Sequence, residues 1–281
     1  MRIYIMTDLE GVAGVLNFND WCEPESRYYE TAKEFLTREV NAAVEGFLEG
    51  GATEIVVWDG HGYGGMNISL LHPAAGLIRG WRERPWPLLL NEGKYDAIAW
   101  VGQHAKAGSL NAHLAHTQGF HYRDESINGV SIGEFGQLAM CASELGIRAI
   151  FASGDEAFRL EAQALVPGIE AVAVKRGVNS VPGHALPQAA YMNHNLVAIH
   201  LPPEEARKRI RAGARRAIDR ARKETFGIIP LKPPFERVTV LRSDERNPPR
   251  ISRCRHPSSV AGVLNMPFDF QPVNFDPMSL L

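Results

Sequence analysis

The chain has 281 residues, of which 45% are hydrophobic and 22% charged, with a formal net charge of −2. That length fits one large domain, or a main domain with a smaller partner, and the composition is that of a globular rather than a disordered chain. The near-neutral charge gives no electrostatic reason to expect nucleic acid or an anionic membrane as a partner. No stretch approaches the ~18 uninterrupted apolar residues of a membrane helix. Met1 to Thr7 runs straight into Asp8 and Glu10, too short and too soon acidic for a signal peptide. The three cysteines, Cys22, Cys141 and Cys254, are far apart and form neither a zinc spacing nor a disulfide framework. A soluble protein of the reducing cytoplasm is therefore expected.

In chain order, residues 2–7 read as a strand. Ser26 to Leu48 reads as a helix, with Ala32, Phe35, Leu36, Val40, Ala43, Val44, Phe47 and Leu48 at helical spacing and Gly50-Gly51 as a stop. A second strand, Glu54 to Trp58, ends at Asp59-Gly60-His61. A third, Tyr95 to Val101, ends at Gly102-Gln103-His104. After an irregular stretch from Ala105 to Arg123, Asn128-Gly129 marks a turn between two short extended segments. Gly133 to Leu145 reads as a helix, Arg148 to Ala152 as a strand, Asp155 to Leu165 as a helix and Ile169 to Val174 as a strand.

Such alternation predicts an α/β fold with a mostly parallel sheet flanked by helices, whose ligands bind outside the carboxyl ends of the strands. The composition shifts after about Lys175. Residues 180–203 are rich in Pro, His and Asn, and residues 204–226 form a basic helical stretch. In that stretch Ala206, Ile210, Ala214, Ala217, Ile218 and Ala221 make an apolar stripe, so its arginines and lysines read as the solvated face of an amphipathic helix rather than a nucleic-acid surface. Phe235 to Leu281 looks like short strands broken by prolines. The expected division is a catalytic α/β domain over residues 1–180 and a smaller α+β C-terminal part over residues 181–281.

Five residues stand out as one candidate metal site: Asp8, Glu10, His61, His104 and Glu134. Four lie just past strand ends, and Glu134 opens a helix. Asp8 and Glu10, two apart, project to the same side if the extended geometry persists. Carboxylates so close repel one another unless a cation or a shared proton relieves them. Asp59 and His61 repeat that spacing, although Asp59 equally suits a loop carboxylate bonding nearby amides or a partner for an imidazole. Glu134 alone would only complement the helix dipole. Together, three carboxylates and two imidazoles match the mixed oxygen and nitrogen ligands of dinuclear zinc hydrolases. His113, His116 and His121 follow, and any of them could serve as a base near neutral pH.

The ordered set Asp8-Leu9-Glu10-Gly11, Asp59-Gly60-His61, Gly102-Gln103-His104-Ala105, Ala115-His116-Thr117 and Ile127-Asn128-Gly129 followed by Gly133-Glu134 resembles the M55 D-aminopeptidases. The similarity runs from residue 1 to about Val174 and weakens beyond. It implies two zinc ions per subunit, one on Asp8, Glu10 and His61 and the other on Asp8, His104 and Glu134, with Asp8 bridging. It also implies His116 as the catalytic histidine, nucleophile or base. The substrate would be a short peptide or amino-acid amide losing an N-terminal, D-configured residue. The assembly would be a homo-oligomer, a decameric ring with sites facing an inner channel. Gly60 and Ala115 stand where the family often has Ser, and the proline-rich tail also departs from it; these differences bear on substrate preference and oligomer contacts. A zinc-dependent amidohydrolase acting on another amide, and a non-catalytic metal-stabilised binding protein, are the alternatives. A phosphoesterase is disfavoured because no basic residue lies within the ligand motifs.

Overall fold

Along β1 (Arg2–Thr7), Ile3 and Ile5 face one apolar layer while Tyr4 and Met6 face another, as in a strand buried on both sides. The computed structural model describes residues 1–273. It places β1 between β2 (Glu54–Asp59) and β4 (Ala97–Gln103), parallel to both. The other strands of this sheet are β3 (Ala75–Ile78), β7 (Arg148–Asp155), β8 (Glu170–Gly177) and β9 (Ala198–His200). Their order is β3-β2-β1-β4-β7-β8-β9, and only β9 runs antiparallel to its neighbour. The expected mostly parallel α/β sheet is thus present. Ile68–Leu70 is a single 3₁₀ turn.

One face is covered by α2 (Tyr29–Glu49), with the short α1 (Phe18–Trp21) beside it, and by α6 (Pro203–Ala221). The other carries α3 (Glu134–Glu144), α4 (Glu156–Leu165) and α7 (Val260–Leu264). α6 behaves as its stripe predicts. Ala206, Ile210, Ala214, Ala217, Ile218 and Ala221 are buried, while Arg211 pairs with Glu45 and Glu49 of α2, and Arg216 with Glu170.

An antiparallel sheet runs β12-β11-β10-β5-β6, formed by β5 (Tyr122–Ile127), β6 (Val130–Ser131), β10 (Phe235–Leu241), β11 (Arg250–His256) and β12 (Gln271–Pro272). Asn128 and Gly129, at φ 51° and 78°, close the β5–β6 hairpin, the pair of left-handed residues that a two-residue turn needs. The hairpin delivers the chain to Gly133 and so to Glu134 at the start of α3. Residues beyond 180, expected as a smaller α+β part, contribute to both sheets. They add α5 (Gln188–Met192), the edge strand β9, α6 against α2, and β10 to β12 beside β5. Residues 274–281 of that part lie outside the described residues. Among the described residues no helix is long and apolar enough to cross a membrane.

Two details correct the sequence reading. β10 and β11 are seven-residue strands in continuous register, longer than the proline-broken tail suggested, because their prolines fall between them rather than within. β3 and β9 escaped notice because they are short, at four and three residues, and lie at sheet edges.

Candidate metal centre

The register fixes where the ligands emerge. Thr7 pairs with Asp59 on one side and with Val101 on the other, so β1, β2 and β4 end at the same edge. From β1 the chain goes out to β2 and β3, then crosses back to β4. The gap between β1 and β4 is therefore a topological switch point, where such sheets bind ligands. Gly102, at φ 78°, lets the end of β4 close on β1; a Cβ there would meet the Asp8 carbonyl oxygen at 2.1 Å.

Asp8, Glu10, His61, His104 and Glu134 converge at this edge, the first four of them buried. Asp8 is central: Oδ1 lies 3.3 Å from His61 Nδ1 and Oδ2 lies 3.1 Å from His104 Nε2. Glu10 Oε2 is 3.3 Å from the same His61 nitrogen, and Glu134 Oε1 is 3.6 Å from His104 Nε2. Both imidazoles are oriented from behind. The far nitrogen of His61, Nε2, lies 2.7 Å from the Cys22 carbonyl, and that of His104, Nδ1, 2.9 Å from the Ala105 carbonyl. With those nitrogens donating, the nitrogens that face the acids are the ones a cation would engage on displacing their protons.

Asp8 and Glu10 meet by a route other than the strand alternation anticipated. β1 stops at Thr7, and a turn rather than a pleat brings Glu10 round to Asp8. Asp59 does not join them. Its carboxylate accepts from the Gly65 and Met66 amides at 2.7 and 3.3 Å, the loop role weighed for it.

The residues suit a divalent cation. Glu10 Oε2, His104 Nε2 and Gln103 Oε1 are buried without a hydrogen-bond partner, although each sits within this cluster. Such atoms are rare in native cores, and three of them together call for a bound ion or water. Asp8, Glu10 and His104 offer ligand atoms all within 4.8 Å of one another, and so do His104, His116 and Glu134. Protein groups alone leave the cluster strained electrostatically. Burial would raise Asp8, but its contacts with His104 and His61 outweigh that and hold it below the ordinary carboxylate range. Burial likewise would lower His104, yet Glu134 and Asp8 lift it to about 10, and Glu10 and Asp8 lift His61 well above its ordinary value. Two protons are thereby held where a cation would displace them.

Of the three histidines left open, His116 alone lines the cleft beside these groups. Its ring stacks on His104 at 3.9 Å, its Nε2 lies 3.9 Å from Glu134 Oε1, and its Nδ1 is 2.8 Å from the Leu114 carbonyl. Burial and the neighbouring His104 lower its pKa. His113 points instead to the Leu16 carbonyl and His200, and His121 packs on Tyr122.

Several supporting residues gave little sequence signal. Gln103 Nε2 donates to Asp8 Oδ2 at 2.9 Å, and the Gln118 amide donates to Glu134 Oε1 at 2.7 Å. Arg79, past the end of β3, donates to the carbonyls of Asp59, His61 and Gly62 at 3.0, 2.8 and 2.7 Å, clamping the His61 loop. Lys175 lies under the centre rather than in the cleft, donating to the carbonyls of Glu10 and Val15. Gly60 also has a local cause: a Cβ there would meet Met6 Cε at 2.3 Å and the Thr7 carbonyl oxygen at 2.6 Å.

Comparison with known proteins identifies the family and the fold. The model of the M55 peptidase family, described as D-aminopeptidase, matches residues 1–247. A D-aminopeptidase of Bacillus subtilis (strain 168) is 28% identical over 183 residues, 64% of this chain and 65% of that protein; the match thus spans just under two thirds of the relative. In fold the chain is similar to the Zn-dependent D-aminopeptidase DppA from Bacillus subtilis, a self-compartmentalizing protease. The TM-score is 0.77 at 20% identity, with 94% of each chain covered. The chain belongs to the M55 D-aminopeptidase family.

Proposed function

We propose that this protein is a dinuclear zinc D-aminopeptidase. It removes the N-terminal residue of short peptides or amino-acid amides, with Asp8, Glu10, His61, His104 and Glu134 as metal ligands. The observation that carries the proposal is the placement of Asp8, one oxygen toward His61 and the other toward His104, as a carboxylate shared by two sites would stand. Family membership and the zinc dependence named for DppA support it.

Zinc in such a site supplies Lewis acidity toward an amide carbonyl and a lowered pKa for water. The remaining work falls to the chain. Gln103 and the Gln118 amide fix the Asp8 and Glu134 carboxylates. The Leu114 carbonyl holds the Nδ1 proton of His116, so Nε2 presents its lone pair toward Glu134 and the cleft. There it can take a proton and pass it to the leaving amine. A homo-oligomer, a decameric ring in the cytoplasm, belongs to the same proposal, supported by the self-compartmentalizing character named for DppA. Light scattering at ten times the 31.1 kDa chain mass would bear it out, and a monomer would overturn it.

The function is tested by dialysis into trace zinc, metal analysis, and assay on matched D-Ala and L-Ala amides and dipeptides. The expected result is two zinc ions per chain and faster cleavage of the D series. Less than one zinc per chain overturns the dinuclear site. Equal or absent cleavage of both series overturns the D-aminopeptidase assignment, and cleavage confined to N-acylated or cyclic amides favours the amidohydrolase alternative.

A further inference from the structure

The metal groups line only part of their cleft, which encloses about 510 Å³. Much of the remaining lining is apolar: Met6, Tyr63, Trp81, Trp86, Leu88 and Phe120. Trp81 is 49% exposed and Tyr63 60%, an unusual amount of open aromatic surface beside a buried polar centre. Three of these residues are braced. Trp81 meets Trp58 edge-on at 5.6 Å, and the Trp86 backbone exchanges two hydrogen bonds with the Asn265 side chain, at 3.2 and 2.9 Å. Phe120 is braced edge-on by Phe18 at 5.3 Å and lies 4.6 Å from the His116 ring, which ties the apolar lining to the proposed proton carrier. Space is open alongside, for a Cβ on Gly62 would meet nothing within 4 Å.

The charges of the cleft narrow the occupant further. Among the described residues that line it there is no lysine or arginine, and the acids are Asp8, Glu10 and Glu134 of the metal centre itself. An acidic substrate side chain would find no lysine or arginine in the lining to pair with and would lose its hydration against an apolar wall. An aromatic one would cover Trp81 and its neighbours, gaining both area burial and ring-on-ring contact.

We propose that this lining is the subsite for the side chain of the substrate's N-terminal residue, and that it selects aromatic and large apolar side chains over small or acidic ones. This rests on the aminopeptidase reading of the metal centre, so the test separates the two. The amino acids released by hydrolysis are not turned over, which allows calorimetry on the zinc-loaded protein with D-phenylalanine and D-alanine. D-Phenylalanine should bind about tenfold more tightly. Trp81→Ala should bring the two affinities close together with zinc content retained, and Trp81→Phe should keep most of the preference. The ratio of kcat/KM for D-Phe amide over D-Ala amide should fall in step. Equal binding of the two amino acids, or an unchanged ratio in Trp81→Ala, overturns the subsite. Preferential D-phenylalanine binding by a protein that hydrolyses no amide would overturn the aminopeptidase reading and leave the subsite standing.

Discussion

The metal-facing part of the cleft is built from residues one to three positions past the ends of β1, β2 and β4, joined by Glu134 at the head of α3, whereas the aromatic part draws mainly on loops. The former is charged and mostly buried, with His61, His104 and Glu134 gripped by backbone carbonyls or an amide. The latter is apolar and opens to solvent at Tyr63 and Trp81, its Trp81 and Trp86 carried on the connection between β3 and β4. Strand ends fixed by parallel register can hold ligands to fractions of an ångström. Loops can change side chains without moving that frame. On the proposed function, reaction type and substrate choice thus fall to different parts of the fold.

The comparison can be broken first at its centre. Asp8→Asn removes a charge that faces both histidines, so it should abolish two-zinc binding and lower amide hydrolysis by roughly 10⁴-fold or more. Metal analysis showing two tightly held ions in that variant would remove Asp8 from its bridging role. His116→Ala should lower kcat by about 10² to 10⁴-fold with both zincs retained, the signature of a proton carrier. Loss of one zinc would make it a ligand instead, a role its distance from Glu134 brings within reach.

A smaller effect should follow from the loop clamp. Arg79→Met removes three hydrogen bonds to the segment that carries His61 and should weaken one zinc site by about 10- to 100-fold while the other holds. Zinc titration against a competing chelator would resolve the two sites, and a parallel loss at both would show general loosening rather than positioning.

The last effect concerns stability rather than metal binding or catalysis. Glu39 of α2 braces the loop beyond Glu10 by accepting from the Ala13 amide at 2.9 Å, and burial pushes it up from 4.5 to about 7. The folded protein then binds this proton more tightly than the unfolded chain, so stability falls as pH rises from about 4.5 to 7. Glu39→Gln should flatten that slope and be the more stable form at pH 8, by on the order of 3 kcal/mol. Denaturant midpoints that fall with pH equally in both proteins would remove Glu39 as the cause.

What the sequence disclosed follows the same line. The candidate ligands were legible because strand-end position is written locally, as an apolar run followed by Asp8, His61 or His104. The turn that carries Glu10 back to Asp8 was not, since the same residues in extended form would also have been compatible with a shared site. Asp59 was ambiguous because a carboxylate beside glycines serves loop amides as readily as metals, and only the fold shows the Gly65 and Met66 bonds. Arg79 and Trp81 carried no signal at all. Their partners lie far off in sequence or in space opened by other elements, and neither periodicity nor spacing records such contacts. In the same way β9 and α6 join the main sheet through pairing and packing that composition, which merely shifts near Lys175, does not encode.

The central claim is that two zinc ions share Asp8, and anomalous diffraction at the zinc edge from zinc-loaded crystals tests it most directly. The account predicts two zinc peaks, one on each side of the Asp8 carboxylate, with Glu10 and His61 at one and His104 and Glu134 at the other. A single peak, or two peaks neither of which touches Asp8, would contradict it.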